Sequence, residues 1–173
     1  MPVPEFIHSL RQKVGHDLLH LPTVLVLVRD ESNRLLLVRD GDDGLWTAPG
    51  GIVEPFEVPA DCAVREAWEE AGVHVQLTAM LGVFGGELCY THYSNGDKVA
   101  WVSTVFAAKV LSGAAMPDGQ ETTAATFFAI DEIATLPLKR YLPMFLAAAD
   151  VGSSGYFQPA SWQPATCRTP SLR

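Results

Sequence analysis

The stretch from Gly51 to Val73, GIVEPFEVPADCAVREAWEEAGV, constrains this chain more than any other. If residues 59–72 form one α-helix, a step of 100° per residue places Glu66, Glu69 and Glu70 within roughly 100° of one another. Ala60, Val64, Ala67, Trp68 and Ala71 gather on the opposite side, so an apolar stripe is expected to pack into a core while the acids face away from it. Like charges spaced i, i+3 and i+4 each cost a few tenths of a kcal/mol. A divalent cation removes that cost, and hard oxygen ligands point to Mg²⁺, or Mn²⁺, rather than zinc. The alternative is a solvated acidic face. Pro59 suits the first helical position, Asp61 the positive end of the dipole, and Gly72 a left-handed cap. Pro49-Gly50-Gly51 reads as a tight turn whose lack of side chains lets backbone approach a ligand closely.

The same stretch resembles the Nudix hydrolase signature, G-x5-E-x7-R-E-U-x-E-E-x-G-U with U aliphatic. Gly51, Glu57, Arg65-Glu66-Ala67, Glu69-Glu70 and Gly72-Val73 fill every fixed position. Seven fixed residues at roughly 6% usage give a chance match on the order of 10⁻⁸ to 10⁻⁹ per start. Phe56 stands where the common form has Gly, which predicts an altered loop shape with the chemistry intact. The resemblance implies an α/β fold, a Nudix-type α/β/α sandwich with a mixed β-sheet. It implies an enzyme acting on phosphorus-containing acid anhydrides, using Mg²⁺ to cleave a nucleoside diphosphate linked to a moiety X. Glu66, Glu69 and Glu70 are then metal ligands, and the Gly50 or Gly51 carbonyl is a candidate for another. The metal would polarise phosphoryl oxygens and acidify the attacking water. One of these glutamates, or a carboxylate from elsewhere, would be the general base.

Arg65 and Glu57 read as framework, the guanidinium holding the carboxylates by bidentate bonds, or else as an ordinary ion pair. Glu121, in GQET before TFFAI, is a candidate base or extra ligand from a late loop, or simply a loop residue. Arg39 is, with Arg65, a candidate local cation for an anionic substrate. Tyr90 and Tyr93 could stack on a nucleotide or serve as strand packing. His74 and His92 read as surface or loop residues. Tyr90 lies about seventeen residues after the signature, as in dinucleoside-polyphosphate hydrolases. The proline associated with ADP-ribose hydrolases is missing from Glu87-Leu88-Cys89. Two other activities stay open: a housecleaning nucleoside triphosphate pyrophosphatase, and a non-catalytic nucleotide sensor.

With 173 residues, 48% of them hydrophobic and 18% charged, the chain is long enough for one domain with a core. A net charge of −8 argues against a large nucleic-acid partner. No apolar run reaches 18 residues, so no membrane helix is expected, and the N-terminus lacks a signal core. Cys62, Cys89 and Cys167 are spaced as free thiols, which together predicts a cytoplasmic protein without structural zinc.

Residues 1–149 are expected to form the hydrolase domain and residues 150–173, rich in Gly, Ser, Pro and Gln, a tail. Within the domain, residues 4–15 form an amphipathic helix whose Phe6, Ile7, Leu10 and Val14 pack or make a homodimer contact. TVLVLVR (23–29) is a strand buried on both faces, with a return strand at 35–38. Residues 73–84 are a strand broken at Gly82. Asn95-Gly96 turns a hairpin between 87–93 and 97–110. Residues 111–122 are a loop, 126–130 a strand, 131–136 a short helix capped by Asp131, and 139–149 a helix begun or strained by Pro143.

Overall fold

Val24 to Val28 are five consecutive buried residues in β1 (Leu19–Arg29), so this strand is covered on both faces. The computed structural model describes residues 4–93 and 95–148, with the backbone of Tyr156–Phe157. The elements run α1 (Glu5–Val14), β1, β2 (Leu35–Asp40), β3 (Trp46–Thr47), α2 (Pro59–Ala71), β4 (Val73–Phe84), β5 (Tyr90–His92) and β6 (Lys98–Gly113). They continue with β7 (Thr122–Phe128), α3 (Ile130–Ile133), α4 (Leu142–Ala148) and β8 (Tyr156–Phe157).

One mixed sheet holds the strands in the order β3-β2-β1-β6-β4-β8, with β5 on β6 and β7 on β2. β1 and β6 run parallel from Leu19↔Val99 to Arg29↔Lys109, and β2 is antiparallel to β1 and β7. Side chains alternate across the sheet. Val24, Val26, Val28, Leu36 and Val38 pack under Cys62, Ala63, Ala67 and Ala71 of α2. Leu25, Leu27, Leu35 and Leu37 face Ile133 of α3 and Leu142 and Phe145 of α4 on the other side. Helices thus cover both faces, which makes the three-layer α/β/α sandwich with a mixed sheet that the sequence led us to expect.

Several local expectations hold. α2 begins with Pro59 and carries Asp61 in its first turn, and Gly72 caps it at φ 66°, ψ 16°. The β5–β6 hairpin closes on Gly96 at φ 94°, with the Tyr93 N–H donating to the Asp97 carbonyl. Pro143 lies in the first turn of α4, where it lacks only a donor the helix would not use.

Others need correction. α2 is rotated from the expected orientation: Glu66 is only 3% exposed and Trp68 is 57% exposed. Cys62, Ala63, Glu66, Ala67 and Ala71 form the inward arc, so acids share the face that packs on the sheet. Three alanines and a cysteine let the helix lie close to β1, and a bulky indole on that arc would prevent the approach, so Trp68 faces outward. Pro49-Gly50-Gly51 bends at Pro49 and lies beside β1, with the Pro49 and Gly51 carbonyls accepting from Val26 and Val24 N–H. β4 runs through Gly82 without a break and absorbs the irregularity as register shifts. β6 extends to Gly113 and β7 starts at Thr122, which shortens the expected loop and moves the late strand four residues earlier than 126. Ala129, not Asp131, is the N-cap of α3, and its N–H is taken by Glu132 Oε2 at 2.8 Å. In α1, Ile7 is buried and Val14 is exposed.

The tail expected over 150–173, with Cys167, lies outside the described residues apart from the β8 backbone, which pairs in parallel with Gly82 and Val83.

Candidate active site

Because α2 turns its acids inward, two of them meet the backbone that runs along β1. The Gly50 N–H donates to Glu70 Oε2 at 3.0 Å. At Gly51, a Cβ would fall on the carboxylate of Glu66. At Gly50 it would stand 2.9 Å from Leu25 Cα and closer still to the Val24 carbonyl. Both glycines are therefore fixed by close approach, one to a strand and one to an acid. The Gly50 N–H thus points away from β1, toward the acids.

Arg65 organises the outer side. Its Nε and Nη2 donate to Glu57 Oε1 and Oε2 at 2.8 and 3.0 Å, and its Nη1 donates to Glu66 Oε1 at 2.8 Å and Glu69 Oε2 at 2.9 Å. This guanidinium holds Glu57 down at about 2. Desolvation raises Glu66 despite the guanidinium beside it. Glu70 is pushed up to about 8, first by burial of its carboxyl and then by the charge of Glu66.

The three carboxylates predicted as one metal set are thus divided. Glu66 and Glu70 converge beside Gly50 and Gly51, while Glu69, with a side chain 41% exposed, is held outward by Arg65. Among the described residues no three His, Cys, Asp or Glu side chains form a ready metal cage. The donor set still fits a hard divalent cation: two desolvated carboxylates, Glu66 and Glu70, that destabilise each other.

Glu70 opens into a cavity of about 220 Å³ that also reaches Gly50, Gly51, Thr47, Tyr93, Trp101 and Tyr141. Trp101 and Tyr141 stand edge to face, 5.8 Å between centroids and 86° between planes. The Tyr141 hydroxyl shares a hydrogen bond of 3.2 Å with Thr47 Oγ1. Asp40 is at the rim, its Oδ2 bonded to Lys139 Nζ at 2.8 Å.

Other sequence candidates fall outside this cavity. Arg39 is exposed and gives its Nε to the Gly44 carbonyl at 3.0 Å, closing its own loop. It does not line the cavity. Tyr90 does not line it either; its carbonyl accepts from Arg140 Nη2 at 2.6 Å, while Tyr93 does reach the wall. Glu121 is anchored by its backbone, with its carbonyl accepting from Gly41 N–H at 2.7 Å and its N–H given to Asp118. It too is absent from the cavity wall, and Asp118 of the same loop is a carboxylate whose charge reaches Glu70. Asp118 in turn is occupied with the N–H groups of Gln120, Glu121 and Thr122.

Trp101, Tyr141, Thr47 and Asp40 were missed. For Trp101 a signal existed: strand alternation from the Asn95-Gly96 turn puts Val99, Trp101 and Ser103 on one face of β6. Tyr141 reaches the wall only through the way α4 docks, which no local pattern encodes. Cys62 and Cys89 are buried free thiols. No helix among the described residues is long and apolar enough to cross a membrane.

Comparison with known proteins agrees with this architecture. The NUDIX domain family matches residues 19–147. A MutT-like protein of Streptomyces ambofaciens is 33% identical over 132 residues, covering 76% of this chain and 79% of that one. A Bacillus subtilis protein provisionally named an 8-oxo-dGTP diphosphatase is 37% identical over 97 residues, 56% of this chain and 58% of that protein. Among solved structures, a MutT Nudix hydrolase from Burkholderia pseudomallei superposes with a TM-score of 0.62 at 24% identity, covering 75% of this chain and 98% of that one. With the family match spanning most of the chain and the signature residues gathered at one site, this protein belongs to the Nudix hydrolase family.

Proposed function

We propose that the protein is a Mg²⁺-dependent hydrolase of a nucleoside diphosphate linked to another moiety X, releasing a nucleoside monophosphate and phosphorylated X. The observation that carries this reading is the pair Glu66 and Glu70 set against Gly51 and Gly50 at the mouth of a cavity. In this reading Glu66 and Glu70 hold the cation, and Glu69 joins them on leaving Arg65. Mn²⁺ suits the same oxygen donors. When bound, the cation supplies Lewis acidity at the phosphoryl oxygens and lowers the pKa of water. A carboxylate of this set takes the proton of that water. Arg65 and Glu57 position the acids. The wall behind Glu70 orients the substrate and excludes solvent. The substrate is a small nucleotide, and the compartment is the cytoplasm.

The Streptomyces and Bacillus relatives favour a second reading, a housecleaning nucleoside triphosphate pyrophosphatase. It shares the acids and differs in which phosphates it leaves outside. One panel separates the two: ADP-ribose, a dinucleoside polyphosphate, UDP-glucose, nucleoside triphosphates and 8-oxo-dGTP, each with Mg²⁺, with products resolved by anion exchange. Turnover of diphosphate-linked compounds supports the first reading, and pyrophosphate release from triphosphates supports the second. No turnover of any compound, or equal turnover by Glu70→Gln, overturns both. Tight binding without turnover would identify a nucleotide sensor.

A further inference from the structure

Glu70 lies in the last turn of α2, where a helix frays most readily. Beyond Gly72 the chain turns into β4, so the carbonyls of Glu70 and Ala71 have no N–H ahead of them in the helix. The Gly72 N–H serves the carbonyls of Ala67 and Trp68 instead. The two that remain are met from outside, by the chain between β6 and β7. Met116 N–H donates to the Ala71 carbonyl at 3.0 Å, and Thr122 Oγ1 donates to the Glu70 carbonyl at 2.8 Å. Glu66 sits one turn further in, where the helical ladder fixes its backbone and Arg65 holds its carboxylate.

Thr122 is 2% exposed and opens β7, opposite Asp40 of β2 and next to a register shift between Arg39 and Asp40. Its hydroxyl has one proton and two acceptors within reach, the Glu70 carbonyl at 2.8 Å and Asp118 Oδ1 at 3.0 Å. Asp118 Oδ1 already gathers the N–H groups of Gln120, Glu121 and Thr122, so the proton goes to the nearer carbonyl. The Asp118 N–H donates back to Thr122 Oγ1 at 3.2 Å, and the Glu121 carbonyl ties the loop to Gly41 at 2.7 Å. An anchored loop thus ends on the backbone of Glu70, while the Gly50 N–H holds the carboxylate of the same residue at 3.0 Å. The acid is fixed at both ends.

We propose that Thr122 is a positioning residue, whose hydroxyl holds the last turn of α2 so that the Glu70 carboxylate stays at Gly50, in place for the cation. The inference rests on the reading of Glu70 as a metal ligand and deepens it by naming what keeps that ligand still. Thr122 does not line the cavity, so it acts through Glu70 and not on the substrate. A misplacement of about 1 Å at a reacting centre can cost up to about a hundredfold in rate, and a fraying helix end moves by at least that much.

Three readouts test this. Thr122→Val keeps the shape and removes the donor, whereas Thr122→Ser keeps the donor. In chelator, amide exchange followed by NMR should speed up about tenfold at Gly50 in Thr122→Val and stay unchanged at Val26, whose N–H goes to the Pro49 carbonyl. Calorimetry should show Mn²⁺ bound about tenfold more weakly. On whichever compound the parent turns over, kcat should fall about tenfold with KM within about twofold. Thr122→Ser should stay close to the parent in all three. Thr122→Cys, whose thiol donates weakly, should fall between them and keeps the test open where Thr122→Val does not fold. Normal Gly50 protection and Mn²⁺ affinity without the hydroxyl overturn the proposal. So does equal acceleration at Gly50 and Val26, the mark of a general fastening, and so does Thr122→Ser as impaired as Thr122→Val. The panel of the preceding section fails separately. A parent that turns over nothing sinks the enzymatic reading, while exchange at Gly50 and Mn²⁺ affinity still judge Thr122. An active parent matched by Thr122→Val sinks the positioning role and leaves the enzyme.

Discussion

Arg65 and Glu57 meet through two parallel hydrogen bonds, Nε to Oε1 at 2.8 Å and Nη2 to Oε2 at 3.0 Å. The pair ties the loop before α2 to the helix that carries the acids. Glu57 titrates at about 2 in the folded protein against an ordinary 4.5. Its folded pKa is depressed, so its contribution is complete above about pH 4.5 and is lost as the pH falls toward 2. At neutral pH Glu57→Gln should lower the unfolding free energy by about 1–3 kcal/mol, the usual value of charge-assisted bonds at a partly exposed site. Denaturant melts of both proteins from pH 7 to pH 2.5 measure this. A difference between them that fails to shrink on acidification would sink the account.

Glu66 and Glu70 are placed for binding at the expense of the free protein. Removing one charge of a desolvated pair relieves that burden, so Glu70→Gln should raise the metal-free melting point, equivalent to about 1 kcal/mol. The same change should weaken Mn²⁺ binding by at least about tenfold. Calorimetric titration and a thermal melt in chelator read the two effects. A variant that is less stable without metal and still binds Mn²⁺ normally would show that the pair is structural.

The neighbouring glycines should fail differently. A methyl at Gly50 strikes the backbone of Val24 and Leu25, which cannot move, so Gly50→Ala is expected to lower stability by about 2–4 kcal/mol. At Gly51 the methyl meets the end of the Glu66 side chain, which can swing away. Gly51→Ala should therefore fold nearly as well as the parent and lose metal affinity. Thermal melts and Mn²⁺ titrations of both variants distinguish them, and similar behaviour would refute the placement.

Asp97 anchors the β5–β6 hairpin to the N-terminal segment. It accepts from His16 Nδ1 at 2.8 Å and approaches Arg11 Nε at 3.3 Å, while Arg11 Nη2 reaches the Lys98 carbonyl at 3.0 Å. The Tyr93 N–H is bonded to the Asp97 carbonyl in the same turn. Loosening this anchor displaces a cavity wall and leaves the acids untouched. Arg11→Ala should raise KM for the nucleotide by up to about tenfold with kcat preserved, and Arg11→Lys should recover part of it. Steady-state kinetics decide; a fall in kcat at unchanged KM would contradict this role.

Phe56 is fully exposed and holds a left-handed backbone, φ 71°. Glycine adopts that conformation freely, whereas a side chain with Cβ is disfavoured by about 1–2 kcal/mol. Phe56→Gly should stabilise the fold by about 1 kcal/mol, less than the full penalty because glycine also loosens the unfolded chain. Chemical denaturation measures it, and a loss of stability would mean the ring has a partner.

The helix that carries the acids, its caps and the first strand pair could be read from the residues because each is encoded locally: Pro59 and Gly72 at the ends, and an apolar run in β1. The rotation of α2 could not. A helical wheel assumes that charges face water, and Glu66 breaks that rule because Arg65 and the glycine backbone accompany it inward. Trp68 is left outside because only alanine-sized residues fit between the helix and β1. Arg39 and Tyr90 were chosen by residue type, and the fold directs one to its own loop and the other beneath Arg140. The corner made by Trp101 and Tyr141 joins residues forty apart in sequence, and it exists only once α4 has docked.

The parallel ladder between β1 and β6 joins residues 19–29 to residues 99–109, eighty positions downstream. Loops of that length close late and slow the folding of a chain. During synthesis β1, apolar on both sides, must wait for more than half of the remaining polypeptide before its parallel partner β6 is complete. The nascent N-terminal third is thus the segment most in need of shielding from self-association, and growth temperature or chaperone supply should limit the yield of soluble protein more than the stability of the finished fold does.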